Sequence, residues 1–238
     1  MLNRKSPHLT LAVVVTAAAI LIAGGAAIAS NAGFKLNKAI TFAGAGQTGD
    51  NWTSLPYFNP YTNVAGLCAQ LGLSSTGGAL VPKAVVSTVN PVDGTGVSAQ
   101  CGSPGAGTTS LLAGRGYRIR QPNVAGAPTS VIIVGSHAPA LQIHLEDAGS
   151  GATGDNWISL PYHTTAVTVA DLCASSGLSS TGGALVPKAT VSRVQASDGS
   201  GATAQCGSPG AITTNLVLGE AIRIREPNGP KDFIPAHY

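Results

Sequence analysis

The sequence predicts an all-β fold of two tandem domains, each a small antiparallel barrel or sandwich with one short helix and one disulfide. Composition is the first reason. Glycine (31) and proline (15) are abundant, while only 10% of residues are charged and 5% aromatic, which is typical of short strands joined by tight turns. A duplication is the second reason, because the phrase GLSSTGGALVPKA occurs at residues 72–84 and again at 177–189.

The duplication extends over a whole domain. Trp52 and Trp157 are 105 residues apart, and the same spacing relates many other identical pairs. Residues 46–123 align with 151–228 without a gap and agree at 51 of 78 positions, so both copies are expected to have one fold. A unit of this length is too long for a solenoid repeat and suits a complete domain. The predicted bounds are 30–138 for the first repeat and 139–238 for the second.

The N-terminal segment has the pattern of an export signal. Arg4 and Lys5 precede an uncharged run that ends in AIAS, with small residues suited to cleavage. We predict a signal peptide at residues 1–29. The alternative is an uncleaved membrane anchor, since roughly 18 apolar residues can span a bilayer. Either way the remaining chain is expected outside the cytoplasm, secreted or in the cell envelope.

One short helix and a series of strands are expected in each repeat. Asn63 or Thr168 is the predicted N-cap, and Gly72 or Gly177 ends the helix. VDGTG and SDGSG are predicted hairpin turns. In the first repeat, strands are predicted at residues 36–42, 51–57, 84–90, 96–101, 110–112, 116–120 and 131–134.

The four cysteines predict one disulfide in each repeat. Cys68 and Cys101 are 33 residues apart, and so are Cys173 and Cys206. A zinc site or a cysteine nucleophile is the alternative, but the chain has no CxxC motif and an exported protein meets an oxidising environment. Each disulfide is therefore expected to join the helix to the hairpin strand.

The motif GAGQTG at residues 44–49 fits the dinucleotide pattern GxGxxG, and GSGATG echoes it at 149–154. A dinucleotide site needs a helix immediately after the glycines. A strand with Trp52 and Pro56 is expected there instead. The motif is therefore interpreted as a turn.

The segments DNWTSLPY and DNWISLPY, followed by LLAGRGYRIR and LVLGEAIRIR, resemble the W-N-x-I-S-L-P … G-x-G-Y-x-I domains of secreted bacterial surface proteins. The resemblance covers nearly all of both repeats. It implies an accessory all-β module of the cell exterior without catalytic residues. The second repeat departs from the pattern, with Ala221 and Ile222 where the first has Gly116 and Tyr117.

Two groups of side chains are candidates for ligand binding. Strand alternation places Trp52 and Trp157 on the face opposite the aliphatic residues, where an exposed indole would stack on a sugar ring. The alternative is an indole at the edge of the core or covered by a loop. The second group consists of paired arginines that either contact a polyanion or form a solvated strand face: Arg118, Arg120, Arg223 and Arg225. Asp50 and Asp155 either bind calcium or cap a turn.

The two repeats differ after their arginine strands. The first continues into a strong strand at residues 131–134, while the second ends in GPKDFIPAHY. This difference predicts an incomplete second domain with an open strand edge, through which copies of the chain would assemble. A shortened strand at Phe233 and Ile234 is the alternative.

Together these patterns predict a non-catalytic structural or binding protein of the cell exterior, a part of an extracellular structure. The expected partners are further copies of the chain, cell-surface proteins or polysaccharide, with membrane contact only through an uncleaved signal segment. The alternatives are a carbohydrate-binding pair of modules and a hydrolase whose residues meet only in three dimensions. The net charge of +3 is too small to indicate nucleic-acid binding. Neither a cofactor nor a metal is expected.

Overall fold

The computed structural model describes residues 33–44, 46–75, 82–136, 138–148, 152–180 and 187–237. The predicted signal peptide, 1–29, lies outside the described residues. The elements of the first repeat are β1 (Phe34–Ala39), β2 (Asp50–Ser54), α1 (Val64–Leu71), β3 (Val85–Val89), β4 (Gly96–Gln100), α2 (Pro104–Thr108), β5 (Gly116–Arg120) and β6 (Ser130–Gly135). Those of the second repeat are β7 (Ile143–Leu145), β8 (Asn156–Ile158), α3 (Val169–Ser175), β9 (Thr190–Ser192), β10 (Thr203–Gln205), α4 (Pro209–Thr213), β11 (Ile222–Arg225) and β12 (Lys231–Phe233).

Each repeat combines a four-stranded and a two-stranded antiparallel sheet. The larger sheet has the order β2-β5-β3-β4 in the first repeat and β8-β11-β9-β10 in the second. The smaller sheet pairs β1 with β6, and β7 with β12. No sheet closes on itself among the described residues, so the two-domain all-β prediction is confirmed in its sandwich-like form.

The predicted helices and hairpins are present. The Asn63 side chain accepts a hydrogen bond from the Gly66 amide at the start of α1, and Gly72 ends the helix in the left-handed conformation with φ of 64°. The second helix, α3, begins after Thr168 as predicted. Both hairpin turns connect paired strands, β3 with β4 and β9 with β10.

Two local predictions were wrong. Each repeat contains a second short helix, α2 or α4, where one was expected. Both begin with proline at the first helical position, where the missing amide hydrogen is not needed. Residues 110–112 were expected to form a strand, but Ser110 makes only an isolated bridge to Asn63.

The predicted disulfides are confirmed. Cys68 bonds to Cys101 and Cys173 to Cys206, with Cα atoms 5.8 and 5.7 Å apart. Each joins the first helix of its repeat to the residue directly after the hairpin strand. Structural disulfides of this kind are typical of an oxidising, extracellular environment.

The second repeat is closed by a short strand. Three residues of β12 pair with β7, whereas six residues of β1 pair with six of β6. The alternative of a shortened closing strand was therefore correct, although this strand ends at Phe233 and does not include Ile234. Phe233 ends β12 and is buried in the core of the second repeat.

Each repeat has its own hydrophobic core, but the cores exchange one aromatic side chain. Tyr162 of the second repeat is buried in the core of the first, and Tyr57 of the first repeat is buried in the core of the second. Residues 34–238 accordingly form one compact unit.

Candidate functional site

The two copies of the NWxSLPY segment meet at the contact between the repeats. Every residue of 51–57 and of 156–162 is buried. Both segments begin on an edge strand, β2 or β8, which a single domain would leave half exposed. The opposite repeat covers them instead, so both faces of each segment are buried.

Trp52 and Trp157 stack on each other at the centre of this contact. Their ring centroids are 3.4 Å apart and their planes differ by 4°. Only 8% and 6% of the two residues is exposed. The hypothesis of exposed indoles for sugar stacking was therefore wrong, and the alternative of largely buried indoles was correct, although each ring is covered by its counterpart in the other repeat and not by a loop.

Two serine hydroxyls connect the backbones of the repeats. The Ser54 hydroxyl donates to the Glu220 carbonyl at 2.9 Å and accepts from the Leu160 amide at 3.2 Å. The counterpart bonds are Ser159 Oγ to the Arg115 carbonyl at 2.7 Å and the Leu55 amide to Ser159 Oγ at 3.0 Å. Each bond thus has an equivalent related by an approximate two-fold axis, the pattern of an isologous interface.

The exchanged tyrosines follow the same symmetry. The Tyr57 hydroxyl donates to the Ser159 carbonyl at 2.9 Å, and the Tyr162 hydroxyl donates to the Ser54 carbonyl at 2.8 Å. Burial raises the pKa of both phenols. Both therefore stay neutral donors, since an ionised phenol could not donate to a carbonyl.

A second set of reciprocal bonds joins each glycine-rich turn to the hairpin of the other repeat. The Gly49 amide and the Thr48 hydroxyl donate to the Ala196 carbonyl, at 3.0 and 3.1 Å. The Gly154 amide and the Thr153 hydroxyl donate in the same way to the Pro91 carbonyl, both at 2.9 Å. Strands β2 and β8 follow these turns, which agrees with the interpretation of the GxGxxG motifs as turns.

Gly116 and Ala221 face each other close to the two-fold axis. A Cβ atom added at Gly116 would lie 2.5 Å from the Ala221 Cβ and 3.1 Å from the Ile158 carbonyl oxygen. Alanine at both positions would bring two methyl groups into overlap. Gly116 therefore leaves room for the methyl group of Ala221, which is one of the two residues at which the second repeat departs from the G-x-G-Y pattern.

The paired arginines form ion pairs within their own repeats. Arg118 and Arg120 lie 3.4 and 3.2 Å from the Asp50 carboxylate. The equivalent distances from Arg223 and Arg225 to Asp155 are 3.8 and 3.3 Å. These aspartates neutralise part of the arginine charge on each strand face.

Two grooves flank the interface at equivalent places. We call them groove A, lined by Trp157, Asn156, Ile143, Arg115 and Pro91 among others, and groove B, lined at the corresponding positions by Trp52, Asn51, Lys38, Glu220 and Ala196. Their volumes are about 160 and 340 Å³. The interface tryptophans thus contribute to both grooves, but the surrounding charges differ.

Groove B contains three charged groups. The Arg193 guanidinium holds the Glu220 carboxylate through Nε at 2.9 Å and Nη2 at 2.6 Å. Lys38 on β1 is half-buried beside this pair. Burial lowers the pKa of its ammonium, Glu220 raises it, and Arg193 lowers it again.

The interface serines, the exchanged tyrosines and Lys38 were not identified from the sequence. The serines and tyrosines are identical in both copies, but so are most turn and core residues, so identity alone could not select them. Lys38 lies before residues 46–123, the part of the first repeat that aligns with the second, so the alignment gave no signal for it.

No family model, curated protein or solved structure matches the chain. Among the described residues, no helix is long and apolar enough to cross a membrane. The same part of the chain contains no group of three or more His, Cys, Asp or Glu side chains placed to hold a metal ion.

Proposed function

We propose that this chain is a non-catalytic structural or binding protein of the cell exterior, in which the two repeats act as one rigid body. The reciprocal interface is the observation that supports this proposal most strongly. Buried aromatic stacking, exchanged tyrosines and paired hydrogen bonds restrict motion between the repeats, whereas domains joined only by a linker move freely. A rigid two-domain body suits a load-bearing or ligand-presenting role.

The disulfides and the N-terminal pattern support the location. Both cysteine pairs are oxidised, and Arg4 and Lys5 precede an apolar run with a small-residue end. The proposed route is secretion with removal of residues 1–29. The proposed bacterial origin and the kinship with secreted surface domains rest on the NWxSLPY resemblance alone.

Self-association, where it occurs, is expected at β4 and β10. These strands lie at the outer edges of the larger sheets, and no other described strand pairs with their free sides. Val97 on β4 is 47% exposed. An exposed strand edge of this kind is a general site for pairing with another chain.

The location is tested by fractionating the cells that produce the protein. We expect a product lacking residues 1–29, with both disulfides intact on a non-reducing gel, in the medium or the envelope. A full-length, reduced product in the cytoplasm would contradict the proposal.

Light scattering of residues 30–238 over a concentration series then tests self-association. A mass that grows with concentration, and that returns to the monomer in the V97K variant, supports assembly through β4. The matched control is I212K, which changes an exposed apolar residue on α4. A constant monomer mass would leave ligand binding as the proposed role.

A further inference from the structure

The two grooves are equivalent in position but not in chemistry. Ile143 in groove A occupies the place of Lys38 in groove B, and Arg115 occupies the place of Glu220. A Cβ atom added at Gly114 would meet Leu141 and one added at Gly219 would meet Leu36, which agrees with this correspondence. Groove A is therefore an internal reference that shows which features of groove B the fold does not require.

Among the described charged groups of groove B, Lys38 is the one without a direct partner. Its side chain makes no hydrogen bond and no ion pair within 4.0 Å to any described residue. Glu220, the acid that lines groove B, is held by two guanidinium nitrogens of Arg193, which itself donates to the Asn215 carbonyl at 2.9 Å. A half-buried ammonium that lacks a partner is costly, and an anionic ligand would remove that cost.

Uncharged polar side chains surround the ammonium. Thr41, Gln195 and Ser197 line the groove, and none of their side chains is hydrogen-bonded to another described residue. Hydroxyl and amide groups of this kind suit the hydroxyls of a sugar. The volume of groove B, about 340 Å³, falls at the lower end of the range for small-molecule sites, roughly 300–1,000 Å³.

The basic side chains of groove A each have a hydrogen-bond partner. The Arg115 guanidinium donates to the Val89 carbonyl at 3.2 Å, and the His144 ring lies 2.7 Å from the Asp232 carboxylate. Ile143 adds an apolar surface where Lys38 would supply a charge. Among the described residues, groove A thus has no basic side chain without a hydrogen-bond partner, unlike groove B.

We propose that groove B binds a carboxylate-bearing sugar unit of an acidic polysaccharide, with the Lys38 ammonium on the carboxylate and Thr41, Gln195 and Ser197 on the hydroxyls. This proposal rests on the binding role proposed above and supplies its ligand class. The lowered pKa of Lys38 adds a consequence. Binding requires the ammonium, so affinity falls as pH rises through that pKa, at a lower pH than for a solvated lysine.

The test is isothermal titration of residues 30–238 with tetragalacturonate, with tetragalactose as the neutral sugar and tetraglutamate as an acidic chain without hydroxyls. Trp52 lines the groove, so its fluorescence gives a second readout. We expect binding of tetragalacturonate alone. The K38I variant, which copies groove A, is expected to bind roughly tenfold or more weakly, the loss of one charged hydrogen bond.

Matched variants keep this result interpretable. K35I, which removes an exposed lysine of the same strand, should leave the affinity unchanged. K38R should retain most of the affinity, and unchanged thermal unfolding of K38I would show that the loss is local. Binding of tetraglutamate with equal affinity would overturn the sugar assignment. Absence of tetragalacturonate binding, or binding unaffected by K38I, would overturn the site, while the location of the protein is decided separately by cell fractionation.

Discussion

At the interface between the repeats, equivalent residues of the two copies are nearly identical. In the grooves beside the interface, several equivalent residues differ. Ser54 and Ser159 are identical and make equivalent bonds, whereas Lys38 and Ile143 occupy equivalent groove positions and share no chemistry. In an isologous contact each residue type is used on both sides, so a change in one copy affects surfaces built to match it. A groove residue does not pack against its equivalent in the other repeat, so the two copies are free to differ at that position.

The largest effect is expected from the tryptophan stack. Trp52→Ala should lower the free energy of unfolding by about 3 to 5 kcal/mol, since a buried aromatic ring is lost and a cavity remains. Trp157→Ala should cost a similar amount. Because the rings contact each other, the double variant should cost less than the two single variants together.

Urea unfolding of the four proteins in this cycle measures the coupling. Phe58→Ala is the control, since Phe58 is 70% exposed and its truncation should change stability little. Strictly additive costs for the two tryptophans would show that the rings do not stack in solution.

The contact near the two-fold axis gives the next largest effect. Gly116→Ala would place two methyl groups 2.5 Å apart, and overpacking of this kind should cost up to about 3 kcal/mol. Adding Ala221→Gly moves the single methyl group to the other repeat and should restore most of the loss. A G116A protein as stable as the parent in thermal unfolding would contradict the close approach.

The serine bonds predict equal effects in the two repeats. Ser54→Ala and Ser159→Ala each leave a buried amide and a carbonyl of the opposite repeat without a partner, and each should cost about 1 to 2 kcal/mol. Chemical denaturation measures both. Ser98→Ala on the exposed edge strand is the control and should be neutral, and a large difference between the two interface variants would argue against the two-fold symmetry.

The smallest expected effect is a difference between helices α1 and α3 in how their stability depends on pH. Asp171 and Thr168 form a capping box on α3, whereas Gly66 occupies the Asp171 position on α1. Hydrogen bonds from the Thr168 amide and hydroxyl, and then from the Val167 amide, lower the pKa of Asp171. The capping bonds therefore stabilise α3 above the usual pKa of aspartate, and this contribution is lost as pH falls through the lowered pKa.

Amide hydrogen exchange at about pH 5 and pH 2 tests this difference. Protection of α3 should fall relative to α1 at the lower pH, and Asp171→Asn should weaken α3 at both. Equal changes in the two helices would rule out the capping box as the cause.

Local rules predicted most of the fold. The spacing of 33 residues identified both disulfides, the asparagine and threonine caps located α1 and α3, and the aspartate-glycine turns located the hairpins. The two proline-started helices were missed because five residues give too little periodicity. Their serine-proline start is the sequence signal that indicates a helix at these positions.

The interface could not be predicted because its pattern depends on both repeats together. Alternation in NWISLPY separates one face from the other only when a single core is present, and here residues 156–162 are buried on both faces. The same limit applies to groove B. Lys38 becomes notable only when the fold places it beside Arg193 and Glu220, far away in sequence.

Differential scanning calorimetry of residues 30–238, with and without the second disulfide, tests the central claim that the two repeats form one cooperative body. Removing that disulfide as C173A/C206A should cost roughly 3 to 4 kcal/mol on the chain-entropy model. We expect a single transition in both proteins, with equal calorimetric and van't Hoff enthalpies and with both repeats shifted together. Two transitions, of which only one moves when the disulfide is removed, would contradict it.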